Sequence, residues 1–92
     1  MYIKVVINYL MVLLMAKPDA RPVAALKKAV IAAGGQTELA RQLSEMSGKN
    51  IKQQQIWNWI NREKQTPASK VVFVEKASGV ARCELRPDLY AD

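Results

Sequence analysis

Side-chain amides crowd one short stretch of this chain, Ile51-Lys52-Gln53-Gln54-Gln55-Ile56-Trp57-Asn58-Trp59-Ile60-Asn61-Arg62, with a cation near either end. An amide offers a donor and an acceptor side by side, which matches the N6 and N7 edge of adenine, whereas Lys and Arg bond guanine or phosphate. Read as a helix, the stretch turns Ile51, Ile56 and Trp59 inward. Lys52, Gln53, Gln54, Trp57, Asn58, Asn61 and Arg62 are then left on the surface. A surface shaped only for solubility draws mainly on Glu and Lys, so an amide face with basic ends points towards base edges. The plainer alternative is a solvated polar face.

Other chemistries find little support. The chain has no histidine, which removes imidazole acid–base and metal sites. Cys83 is the single cysteine and has no histidine to activate it, so it reads as a small packing residue. Glu75 and Glu84 fall on different expected helices, and no acidic pair stands out for carboxylate catalysis. Gly34-Gly35 lacks the Lys-Ser/Thr of a phosphate-binding loop and reads as a helix stop. The expectation is a non-enzyme with no metal, no cofactor and no small-molecule substrate.

Charge supports a polyanionic partner. Fourteen Lys and Arg against eight Asp and Glu give a formal net charge of +6. Residues 49–70 hold Lys49, Lys52, Arg62, Lys64 and Lys70 against Glu63, a net +4, while residues 36–48 come to −1. A basic block between neutral or acidic segments makes an electropositive face for DNA, RNA or anionic lipid. Lys49, Lys52, Arg62 and Lys64 are the candidates for phosphate, and Thr37 joins them because a helix N-terminus also attracts phosphate.

The elements that must position these residues are short helices. With 92 residues, half of them hydrophobic, the chain has room for one modest core. Pro22 suits a first helical position, and Val23, Leu26 and Val30 follow at helical spacing until Gly34-Gly35. A second helix starts near Gln36 or Thr37, with Leu39, Leu43 and Met46 on one side and Ala40 beside them. After the break Ser47-Gly48-Lys49-Asn50, a third helix runs from about Lys52 to Arg62. Thr66-Pro67 reads as an N-cap and first helical position, opening a fourth helix that Gly79 closes; a strand over Val71–Val74 is the weaker reading. One further turn fits around Arg82–Leu85 before Pro87. The expected fold is all-α, a compact four- to five-helix bundle with a helix-turn-helix and an extra N-terminal apolar segment.

Two units are expected: an apolar extension over residues 1–17 and the helical domain over residues 18–92. From Val5 to Ala16 only Asn8 carries a polar side chain, too short a run for a membrane-spanning helix. It reads as an added element, a dimerisation element, or translated sequence upstream of the real start, with Met11 and Met15 as later start positions.

The strings QTELARQL, IKQQQIWNWIN and TPASKVVFVEKASG with the ELRPDLY ending resemble Cro-type prophage repressors, and most closely the YdaS-like branch. The resemblance spans about residues 22–91. It implies a recognition helix from Lys52 to Arg62 in the major groove, with Gln53, Gln54 and Asn58 facing bases. Gln36 and Thr37 match the start of the positioning helix, at the phosphate backbone, and Ala40 its small crossing residue. One departure stands out: seven residues, Ser44 to Asn50, separate Leu43 from Ile51 where the family has about one. A longer second helix follows, and either a displaced recognition helix or added contacts through Lys49. Trp57 replaces a smaller residue, to press on a thymine methyl or to pack against the inserted turn.

Function then reads as a sequence-specific transcriptional regulator in the bacterial cytoplasm, binding double-stranded DNA, a palindromic operator, as a homodimer. The alternative is an antitoxin whose main partner is a toxin protein. A third reading is a membrane-surface protein using residues 1–16 with the Lys17–Lys28 cluster behind them.

Overall fold

The computed structural model describes residues 20–90, and every regular element in that span is helical. The expectations for residues 1–17 lie outside the described residues.

Helix α1 spans Arg21–Ala33, with Ala20 as its cap and Pro22 in the second helical position rather than the first. Proline is tolerated there because first-turn N–H groups lack intrahelical acceptors anyway. Gly34 ends the helix at φ 105° and donates its N–H to Ile31 O at 3.1 Å, while Gly35 follows at φ 116° and bonds Val30 O at 2.8 Å. Two successive left-handed residues are open to glycine at little cost, which is why this reversal needs both.

Helix α2 follows at once over Gln36–Ser47 and runs about one turn past Leu43, as the inserted residues required. The third helical stretch differs from the expected continuous helix. Lys52 stays extended as the cap, α3 covers Gln53–Asn58, and a π-helical turn covers Trp59–Glu63. Lys64 closes that turn at φ 61°, and the Lys64 and Gln65 N–H groups both reach the Trp59 carbonyl. The wider turn places Trp59 and Ile60 together in the core.

Thr66 does not cap the fourth helix. A 3₁₀ turn over Ala68–Lys70 leads instead into α4, Val71–Ser78, so Val71–Val74 is helix and not strand. Thr66 is wholly buried and its Oγ1 has no hydrogen-bond partner among the described residues, while its carbonyl accepts Arg86 Nη1–H at 3.0 Å. Packing has claimed the side chain that local propensity assigned to the cap.

The short α5, Arg82–Leu85, is anchored from outside its own length. Glu75 Oε2 accepts the Arg82 backbone N–H at 2.7 Å, and Oε1 accepts the Arg82 guanidinium at 2.8 Å. Arg86 then grips Asp88 through two bonds of 3.0 and 2.8 Å. These locks close the C-terminal end over the core.

That core draws one or two side chains per turn from each element: Leu26 and Ala29 of α1, Leu39, Ala40 and Leu43 of α2, Ile51, Ile56, Trp59 and Ile60, Val71 and Val74 of α4, Val80 and Leu85. α4 packs against both α1 and α2, and α2 carries α3 on its other contacts. Ala40 is buried, as its small size beside α3 anticipated.

Candidate nucleic-acid interface

The face built by the starts of α2 and α3 begins with two glutamines seventeen residues apart. Gln53 donates from Nε2 to Oε1 of Gln36, joining the first residue of α3 to the first residue of α2. Gln53 keeps its own Oε1 and a second N–H for an outside partner, and Gln36 keeps its amide donors. Both side chains are thereby oriented by each other and remain able to bind.

The start of α3 is set by Gln55, whose Oε1 accepts the Lys52 backbone N–H at 2.7 Å. This is half of a capping box, with the cap residue itself contributing no side-chain acceptor. Behind it, the Ser44 hydroxyl accepts the Ile51 N–H at 2.9 Å and lies 2.7 Å from Ala40 O and 3.0 Å from Ile51 O. The inserted turn is therefore clamped where it joins α3. Neither Ser44 nor Gln55 was singled out from sequence: a serine deep in a helix carries no turn signal, and a glutamine three residues after lysine lacks the usual Ser/Thr cap.

Lys52, Gln53, Gln54, Trp57 and Asn61 are exposed and Asn58 is half-buried. Gln54 Nε2 donates to Asn58 Oδ1 at 3.4 Å, a weak bond along the face. Asn61 donates to the Trp57 carbonyl at 3.0 Å, so its amide nitrogen is engaged by the backbone where the helix passes into the π turn. Thr37, Lys49, Arg62 and Lys64 are exposed as well. Among the described residues these four hydrogen-bond to none of the amides.

Electrostatically the face and its surroundings differ. On α2, Arg41 is held between Glu38 at 2.6 Å and Glu45 at 2.7 Å. Hydrogen bonds from Arg41, and then from Gln42, lower the Glu38 carboxyl to about 2. Arg82 is likewise bound to Glu75 and Arg86 to Asp88. Lys49, Lys52, Arg62 and Lys64 form no ion pair among the described residues, and their field is free to act outward. Three arginines outside this face, Arg41, Arg82 and Arg86, are thus neutralised by carboxylates, and the cations of the face are not. Arg41, inside the expected positioning helix, belongs to the first group.

No helix among the described residues is long and apolar enough to cross a membrane. In comparison with known proteins, residues 26–92 match the family described as bacterial toxin YdaS. No curated protein and no solved structure matches. The family match takes in 67 of the 92 residues, from the middle of α1 through the whole α2–α3 face to the Arg86–Asp88 lock. The chain belongs to the YdaS family.

Proposed function

We propose that this protein is a sequence-specific DNA-binding regulator of prophage type, without catalysis or cofactor, that works in the bacterial cytoplasm. The observation that carries the reading is the Gln36–Gln53 hydrogen bond. It ties the helix that would sit on the phosphate backbone to the helix that would enter the major groove, and it leaves donors and acceptors on both. In this reading Gln53, Gln54 and Asn58 meet base edges, with Lys52 and Asn61 beside them. Gln36, Thr37, Lys49, Arg62 and Lys64 hold phosphates. A homodimer on a palindromic operator would repeat the contact one helical turn away. Genome-wide mapping of bound sites, followed by titration on the recovered duplex and a scrambled one, tests the proposal. Equal affinity for the two duplexes at moderate salt would refute it.

A second reading follows from the family description. Toxin is the word attached to the family, which favours a toxin–antitoxin component and shifts the expected role from antitoxin to toxin. Controlled expression with and without the neighbouring gene tests this: growth arrest relieved by the neighbour supports it, and unaffected growth opposes it. Pull-down from the native host would recover a protein partner. Repeating the expression with Gln53→Ala and Asn58→Ala tells whether arrest passes through DNA.

A further inference from the structure

The amide face contains one side chain whose chemistry the amides do not explain. Trp57 is 42% exposed, while Trp59, two residues on, is 5% exposed and belongs to the core. The large ring is therefore not part of the core. Its neighbours along the helix are Gln53 four residues before and Asn61 four residues after, and Asn61 touches it through the Trp57 carbonyl. The indole N–H has no partner among the described residues. An exposed tryptophan amid glutamines and cations has no solubility rationale, because an apolar ring in water is unfavourable.

Building on the DNA-binding reading, we infer that Trp57 is a specificity-determining residue that covers the C5-methyl group of a thymine in the operator. The surrounding charge selects the occupant: Lys52 and Arg62 on the same helical stretch, with Lys49 and Lys64 just beyond it, form no ion pair among the described residues and call for a polyanion. In the major groove of duplex DNA the thymine methyl is the one sizeable apolar group that a base edge presents. Gln53, one turn back, suits adenine. Trp57 and Gln53 together then select adjacent A·T pairs, the amide by hydrogen bonds and the indole by the methyl. Cytosine and uracil at the thymine position would lose the apolar contact.

The test uses the full chain and the duplex that it selects from a random library. Each thymine is replaced in turn by deoxyuridine, which deletes the methyl and nothing else. The parent should lose about fourfold in affinity at one thymine of each half-site, the worth of one buried methyl. Trp57→Gln, once thermal unfolding has shown it to be folded, should bind thymine and uracil duplexes equally. If specific duplex binding persists but no thymine responds, or Trp57→Gln responds as the parent does, the methyl contact is wrong while the regulator reading stands. Tighter, Trp57-dependent binding to single-stranded RNA or DNA would overturn it in favour of base stacking on the ring. Failure of the parent to select any duplex would remove the DNA-binding reading, and the methyl contact with it.

Discussion

Ser44 and Ile51 stand seven residues apart and are joined by one hydroxyl, which accepts the Ile51 N–H at 2.9 Å while sharing its own proton between Ala40 O and Ile51 O. The bond spans the inserted turn and fixes where α3 begins. Ile51 is buried, so its N–H has no ready access to solvent. Ser44→Ala should therefore cost about 1–3 kcal/mol, the penalty for a buried donor left unsatisfied. Urea unfolding measures it; an unchanged midpoint would mean that the turn holds itself.

Reading bases and holding phosphates should separate by mutation. Gln53→Ala is expected to weaken operator binding by about 1–3 kcal/mol and leave scrambled duplex nearly unaffected. Lys64→Ala should weaken both and lower the slope of log K against log salt by about one. Salt titrations of each variant on the two duplexes check this. Equal losses for Gln53→Ala on both would leave α3 without a base-reading role.

The two tryptophans differ sharply in environment. Trp59→Ala should destabilise by about 3–5 kcal/mol, as expected for a buried aromatic, and most of the stability of so small a domain would go with it. Trp57→Ala should leave the unfolding midpoint close to the parent's. Thermal unfolding of both variants, side by side, decides the assignment.

Thr66 offers the opposite case, a buried polar group whose removal should help. Its Oγ1 is wholly enclosed and unpartnered. Thr66→Val keeps the shape and deletes the unsatisfied hydroxyl, so stability should hold or rise by up to about 1 kcal/mol. A clear loss in calorimetry would show that the hydroxyl is bonded after all.

Acid should weaken the fold through Glu38. Its folded value, about 2, lies below the ordinary 4.5, chiefly because Arg41 bonds the carboxylate. A lowered carboxyl value stabilises the fold above the unfolded value, and that contribution is lost as pH falls through the folded one. Glu75, lowered by Arg82, acts in the same direction. The melting temperature should decline between about pH 4.5 and 2, and Glu38→Gln should flatten part of the decline. Because the Arg41 pair is solvent-exposed, the effect should be small.

Much of the molecule was legible in residue order. Gly34-Gly35 and Gly79 marked helix ends because a left-handed residue has few other occupants. Leu26, Leu39, Leu43, Ile56 and Trp59 reached the core as their spacing required, since one apolar face per helix leaves little choice of what to bury. The family strings carried the membership too. Only tertiary structure decided how those elements meet. Gln36 finds Gln53 across seventeen residues, and Ser44 clamps a turn whose residues were legible but whose closing bond was not. Thr66 is taken from its cap by burial, and Arg41 is silenced by the two glutamates beside it while Lys49 and Lys64 are not. Spacing along a helix is a local property and can be counted, whereas a hydrogen bond between elements depends on where packing has placed both partners.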